Sequence, residues 1–122
     1  MSHRVQLKND IIYQHADEGG LTIEKLKEDL EELLKIQELL KKEKKPFYML
    51  YDGSNVGKVS SAVRAQALYN MSCLDYKRVA IIGVPSVFLN QLAKFIIMGM
   101  GKQKKIKIFK LKYEAENWLR NG

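Results

Sequence analysis

The chain has 122 residues, of which 46% are hydrophobic and 29% are charged, and its formal net charge is +7. This length allows one hydrophobic core, and this composition excludes a disordered or fibrous protein. Cys73 is the single cysteine, which excludes an internal disulfide. The N-terminal residues contain no apolar leader, so we expect one cytoplasmic domain over residues 1–122.

Residues 3–15 predict an N-terminal β-hairpin. Polar and apolar side chains alternate from Arg4 to Lys8, which is typical of a half-buried strand. The Asn9-Asp10 pair supplies a turn into a second strand over residues 11–15.

A long helix is predicted after the glycine pair at residues 19–20. Thr22 can cap this helix, and its apolar side chains follow helical spacing from Ile23 to Leu40. Acidic side chains dominate its first half and lysines its end, as the helix dipole favours. Too few heptads are available for a coiled coil, and Gln37 falls on the apolar stripe, so we expect the helix to pack on a sheet and to end before Pro46.

The rest of the chain alternates strands and helices. Residues 47–51 (FYMLY) and 77–83 (KRVAIIG) are apolar on both faces, which predicts central strands. Helical spacing occurs over residues 60–71 and again after Pro85. Residues 105–111 alternate as an edge strand does, and residues 113–120 predict a last short helix.

This order of elements predicts an α/β fold. Strands that alternate with helices imply right-handed crossovers and a mainly parallel sheet, to which the hairpin adds an antiparallel strand. We therefore expect a sandwich of about four helices on a mixed sheet. Polar residues and glycine interrupt the most apolar stretch, residues 79–100, so no transmembrane segment is predicted.

The stretch DGSNVGKVSSA, residues 52–62, follows the first central strand and is the best candidate site. A nucleotide-binding P-loop needs four residues between its glycines and a Ser or Thr after its lysine, whereas this stretch has three residues and Val59. Ligands gather at the carboxyl ends of parallel strands, and helix N-termini favour anions. The candidate regulatory or partner-binding residues are Asp52, Ser54, Asn55, Lys58, Ser60 and Ser61. A simple turn at Asp52 and a helix cap at Ser60 are the alternative roles.

Few residues elsewhere in the sequence are candidates for catalysis. His3, His15 and Cys73 have no activating partner at motif spacing, and no metal-ligand spacing is present. We expect a protein that is not an enzyme and has no catalytic residues, no cofactor and no metal. The lysine-rich residues 102–122 could attract anionic lipid, nucleic acid or an acidic partner, or could simply solvate an edge strand. One aromatic side chain there does not make a stacking platform, so we expect no specific nucleic-acid partner.

The third helix is apolar nearly all round. Such a helix is either deeply buried or presents a patch to a dimer partner, a lipid or a ligand. The candidate apolar interface consists of Phe88, Leu92, Phe95, Ile97 and Met98.

Four segments together resemble a known family: FYMLYDGSNVGKVSSAVR, KRVAIIG, FLNQLAKFII and IKIFKLKYEAENWL. With the element order, they make the chain similar to STAS domains, the fold of bacterial anti-sigma factor antagonists and of sulfate-transporter tails. The likeness is greatest to the SpoIIAA-like branch, also described as STAS/Sec14-like. The resemblance implies a bacterial, non-enzymatic module that binds a protein partner. The alternative that it implies is a binder of lipid or a small amphipathic ligand, acting through the third helix.

The resemblance also implies a phosphorylation site. In phosphorylatable STAS domains the loop resembles D-x-S-x-V, then a hydrophobic residue, then D-S, and the last serine accepts phosphate from a kinase that is also the partner. Ser61 falls at the position of that serine, which makes it the candidate phosphoacceptor. The pattern is kept at Asp52, Ser54, Val56 and Val59. Ser60 stands where the family has its second aspartate.

Overall fold

A computed structural model describes residues 3–100 and 105–121, with the backbone alone for Phe88 and for residues 95–100. Within this part of the chain, five strands form one sheet in the order β1-β2-β3-β4-β5. Their bounds are β1 Val5–Lys8, β2 Ile11–His15, β3 Tyr48–Asp52, β4 Arg78–Ile82 and β5 Ile106–Ile108. The helices are α1 Ile23–Lys42, α2 Ser61–Ser72, α3 Leu89–Met100 and α4 Lys112–Asn121. β1 pairs with β2 antiparallel, and the other three pairings are parallel. The predicted α/β layout, with a mixed and mainly parallel sheet, is confirmed.

The hairpin between β1 and β2 turns at the predicted pair. Asn9 and Asp10 have φ angles of 51° and 67°. Two consecutive residues with positive φ are typical of the two-residue turn whose twist matches that of the strands, and Asn and Asp are the side chains that tolerate it best after glycine.

The sheet buries side chains on both faces. On β3, Met49 joins the core against α1 and α2, whereas Leu50 joins the core against α4. The neighbouring strand β4 divides in the same way, with Val79 on the first face and Ala80 on the second. Alternate side chains of a strand point to opposite faces, which explains why these two strands are apolar throughout.

Helix α1 packs on the sheet as predicted. The Thr22 side chain accepts a hydrogen bond from the backbone N–H of Lys25 and caps the helix. Leu26, Leu33 and Leu40 form its buried stripe. Gln37 lies on the same stripe, where its Oε1 accepts a 2.7 Å hydrogen bond from the Asp75 N–H.

The structure differs from the sequence-based expectation in two elements. The third helix begins with a 3-10 turn, Ser86–Phe88, before its α-helical part. The last strand is shorter than the predicted residues 105–111, because the chain leaves the sheet after Ile108 and turns into α4. The Phe109 N–H still donates to the Ile81 carbonyl, but Leu111 is exposed.

Candidate functional site

The candidate loop lies at the carboxyl edge of the parallel strands. β2 and β3 end side by side, with His15 in register with Asp52. β1 runs the other way and begins at this edge, where the His15 N–H donates to the Arg4 carbonyl. The start of β1 and the ends of β2 and β3 therefore lie at the same edge of the sheet as residues 52–61, hereafter the 52–61 loop.

Asp52 closes the first turn of the loop. Its Oδ1 accepts hydrogen bonds from the Ser54 N–H at 3.0 Å and from the Ser54 hydroxyl at 2.5 Å. The Gly53 N–H donates to the Ile82 carbonyl at 2.8 Å, which ties the loop to the end of β4. Gly83 has a φ of +73°, and a Cβ there would lie 2.5 Å from Asp52 Oδ1. Glycine at this position thus lets β4 end against the turn.

Asn55 attaches the loop to the segment after β2. Its Nδ2 donates to the Ala16 carbonyl at 3.2 Å. The loop then turns at Gly57, whose φ is +64° and around which a Cβ would meet nothing within 4 Å. Lys58 follows and is exposed to solvent. The first half of the loop is therefore fixed by side-chain hydrogen bonds, whereas Lys58 in the second half presents its side chain to solvent.

Ser60 and Ser61 have different structural roles. Ser60 is the N-cap of α2, and its Oγ accepts a 3.2 Å hydrogen bond from the Val63 N–H. Ser61 is the first residue of the helix and is exposed. The first turn of α2 contains no acidic side chain, so its free N–H groups and helix dipole have no negative charge from that turn beside them.

A buried ion-pair network lies next to the loop, and the sequence analysis missed it. Arg4 is 6% exposed and Asp29 is 1% exposed. Arg4 Nε lies 3.1 Å from Asp29 Oδ1, and the guanidinium also contacts Asp17 at 3.3 Å and Glu28 at 3.1 Å. Gln14 Nε2 donates to the second Asp29 oxygen at 3.3 Å. The available signal was the spacing of Asp29, which places an acid on the apolar stripe of α1 three residues after Leu26.

The charges of this network shift the pKa values of its members. Burial disfavours the charged form of Arg4, but Asp29, Glu28 and Asp17 outweigh it and hold the pKa of the guanidinium above its usual value. A hydrogen bond from Lys25 lowers the pKa of Asp17. Burial, together with the negative charges of Asp29 and Asp52, raises the pKa of the Tyr51 hydroxyl. The phenol therefore stays neutral beside the loop.

Of the other sequence-based candidates, His15 lies at this edge, whereas most of the apolar interface lies beyond the described side chains. Leu92 is half-buried on α3, whereas the side chains of Phe88, Phe95, Ile97 and Met98 lie outside the described residues. His3 and His15 contact each other edge to face, with ring centroids 6.0 Å apart. Cys73 is half-buried at the end of α2.

The arrangement at the 52–61 loop suits binding and the acceptance of a modification. Its sequence contains hydroxyls, an amide, a lysine and a carboxylate but no histidine or cysteine, and the carboxylate is occupied by its own turn. Among the residues that the structure describes, no group of three or more His, Cys, Asp or Glu side chains could hold a metal ion. Within the same ranges, no helix combines the length and the apolar character needed to cross a membrane.

Comparison with known proteins neither supports nor contradicts the resemblance to STAS domains. No family model and no curated protein matches the chain. Membership of the STAS family therefore enters below as a proposal.

Proposed function

We propose that the chain is a non-enzymatic regulatory module of STAS type. It binds a protein partner through the 52–61 loop and the adjoining face of α2, and phosphorylation of Ser61 controls that binding. The observation that carries the proposal is the separation of roles at the helix start: Ser60 caps α2, which leaves the exposed Ser61 free of the cap.

The surroundings of Ser61 favour a phosphate. A phosphate ester at the first position of a helix is stabilised by the helix dipole and by free backbone N–H groups. Arg64 is exposed three residues later, the spacing at which two helical side chains are neighbours. Lys58 is exposed on the other side of the cap. A kinase that moves the terminal phosphoryl group of ATP to Ser61 Oγ would thus place the new charge near two cations.

The departure from the family pattern is compatible with this role. Where STAS domains have an aspartate before the phosphoserine, this chain has Ser60. Serine and aspartate are about equally good N-caps, and Ser60 makes the capping hydrogen bond. The substitution therefore keeps the start of α2 intact and removes one negative charge beside Ser61.

The outer face of α2 extends the partner-binding surface. Ser61, Ala65 and Tyr69 are four residues apart and all exposed, so they lie along one face of the helix. Tyr69 is 58% exposed, and an exposed tyrosine is a common anchor in protein interfaces. A partner that contacts this face would also contact a phosphate on Ser61.

Site-specific photo-crosslinking in the source cells tests the proposal. A photoreactive amino acid is placed at Ala65 and, as the control, at the exposed Asn117 on the opposite face of the sheet. We expect one discrete crosslinked product from position 65, which decreases in the Ser61→Asp background and remains in the Ser61→Ala background. Equal yields of crosslinked product from both positions, or a yield from position 65 that Ser61→Asp leaves unchanged, would contradict the proposal.

A second proposal is the binding of a lipid or small amphipathic ligand through α3. It is supported by the apolar sequence LNQLAKFIIMGM of this helix and by the Sec14-like resemblance. Flotation with liposomes separates the two proposals, since lipid binding through α3 would decrease on Leu92→Glu, whereas partner binding at the 52–61 loop would not.

A further inference from the structure

A lysine-lined cavity lies at the opposite edge of the sheet from the 52–61 loop. Its volume is about 290 Å³. Among the residues that the structure describes, four lysines line it: Lys41 near the end of α1, Lys45 shortly after that helix, Lys77 just before β4, and Lys105 just before β5. Asp75 is the one acidic residue among the described lining residues. Parallel strands begin at this edge, so residues far apart in the sequence converge there.

The four lysines differ in the contacts that their ammonium groups make. Lys45 Nζ lies 3.1 Å from Asp10 Oδ1 and 3.4 Å from Glu43 Oε1, and the hydrogen bond that it donates to Asp10 raises the pKa of Lys45. Lys105 Nζ lies 5.9 Å from the centre of the Tyr76 ring, a cation–π contact that holds the ammonium over the cavity wall. Lys41, Lys77 and Lys105 are therefore the cations that a ligand would meet first.

The wall and floor of the cavity are built of buried side chains. Phe47 and Tyr76 are 4% and 8% exposed, and burial raises the pKa of the Tyr76 hydroxyl, which keeps it protonated as a donor. Gln37 is 7% exposed, and its Oε1 already accepts from the Asp75 N–H. The oxygen of the Gln37 amide is thus already occupied. A ligand would therefore use the NH₂ group of this amide as its donor.

We propose that this cavity binds a small anion that carries phosphate groups. Several lysines line one concave space, and ammonium groups bind phosphate as point charges. The carbonyl end of α1 and the Asp75 carboxylate oppose an anion, but the lining lysines outnumber them. Because the net attraction grows with the charge of the ligand, a ligand with two or more negative charges gains more than a monovalent one. The volume suits a small phosphorylated molecule or the headgroup of a phosphorylated lipid. This inference is independent of the function proposed for the 52–61 loop.

Inorganic pyrophosphate is the probe for the first test, with binding followed by NMR amide shifts of the folded protein. We expect saturable shifts around Gln37, Asp75 and Lys77 that weaken as salt is added. Lys77→Gln and Lys105→Gln should each raise the dissociation constant about tenfold. Asp75→Asn should lower it, because this change removes the opposing charge and keeps the backbone N–H. Lys27→Gln, on the exposed face of α1, is the matched control and should leave it unchanged.

A second arm separates the two sources of the phosphate. Phosphatidylcholine vesicles with and without a phosphatidylinositol phosphate are compared by flotation. Retention that requires the phosphorylated lipid and is lost in Lys77→Gln assigns a headgroup, whereas pyrophosphate binding without retention assigns a soluble molecule. Absence of saturable pyrophosphate shifts, or equal weakening by Lys27→Gln and Lys77→Gln, would overturn the inference.

Discussion

Arg4 and Asp29 form an ion pair in the interior, with 3.1 Å between Nε and Oδ1. It joins the residue before β1 to the buried stripe of α1, next to the 52–61 loop. Removing Asp29 would leave the buried guanidinium of Arg4 to the more exposed Asp17 and Glu28, and breaking a buried pair is strongly destabilising.

Asp29→Ala should therefore lower the free energy of unfolding by about 3–5 kcal/mol. Glu31→Ala, an exposed change on the same helix, should stay within about 0.5 kcal/mol of the parent protein. Urea unfolding of the two variants decides the point. Similar midpoints for both would show that the Arg4–Asp29 pair is not desolvated in solution.

The two adjacent serines should respond differently to substitution. Ser60→Ala removes the cap of α2 and should cost about 1 kcal/mol. Ser61→Ala should have little effect, and Ser61→Asp should stabilise the protein by about 0.3–1 kcal/mol, because it adds a negative charge at the helix N-terminus. Thermal and urea unfolding measure these changes. A larger loss of stability for Ser61→Ala than for Ser60→Ala would show that Ser60 is not the residue that caps α2.

Gly57 in the 52–61 loop and Gly83 at the end of β4 offer a matched comparison. Gly83 and Gly57 have similar positive φ angles, +73° and +64°, so alanine at either should cost about 1–2 kcal/mol from backbone strain. Only at Gly83 does the added Cβ meet Asp52 Oδ1. We expect Gly83→Ala to be clearly the more destabilising of the two in unfolding experiments. Equal losses would mean that Asp52 can move away at no cost.

Tyr13 should make stability fall at alkaline pH. Burial and a hydrogen bond to Glu116 raise its pKa to about 12, whereas an unfolded chain has a tyrosine pKa of about 10. Between these values the unfolded chain loses a proton that the folded protein keeps, so this contribution is complete below pH 10 and is lost as the pH rises toward 12.

Urea unfolding across this pH range measures the effect. Burial also raises the pKa values of Tyr51 and Tyr76, so the quantity to compare is the difference between the parent protein and Tyr13→Phe. The variant should lose less stability on alkalinisation than the parent does. Tyr113→Phe, at an exposed site, is the control. Parallel pH profiles for the parent and Tyr13→Phe would refute the assignment.

The sequence predicted the fold well because local patterns determine it. Apolar runs identify β3 and β4, helical spacing identifies α1 and α4, and the Asn9-Asp10 pair identifies the hairpin turn. The end of β5 was wrong because the alternating pattern continues past the point where the chain turns toward α4. Side-chain pattern alone does not specify where strand pairing stops.

The candidate site was predictable only in part. The 52–61 loop could be located because it follows a fully apolar strand. The partners of its side chains could not, since Asn55 binds a carbonyl 39 residues away in sequence. The Arg4–Asp29 pair and the lysine-lined cavity likewise bring together residues from separate elements. Which distant residues come together depends on strand order and register, and these cannot be derived from a single sequence.

Phosphate mapping on the protein isolated from its source cells, with phosphatases inhibited, is the sharpest test of regulation through Ser61. Peptides that cover the 52–61 loop and the first turns of α2 are sequenced by tandem mass spectrometry, and the phosphorylated fraction at each hydroxyl is determined. We expect phosphate on Ser61, none on the capping Ser60, and less crosslinked product from position 65 as the phosphorylated fraction rises. Complete recovery of these peptides without phosphate on Ser61, across the growth conditions in which the partner binds and dissociates, would contradict it.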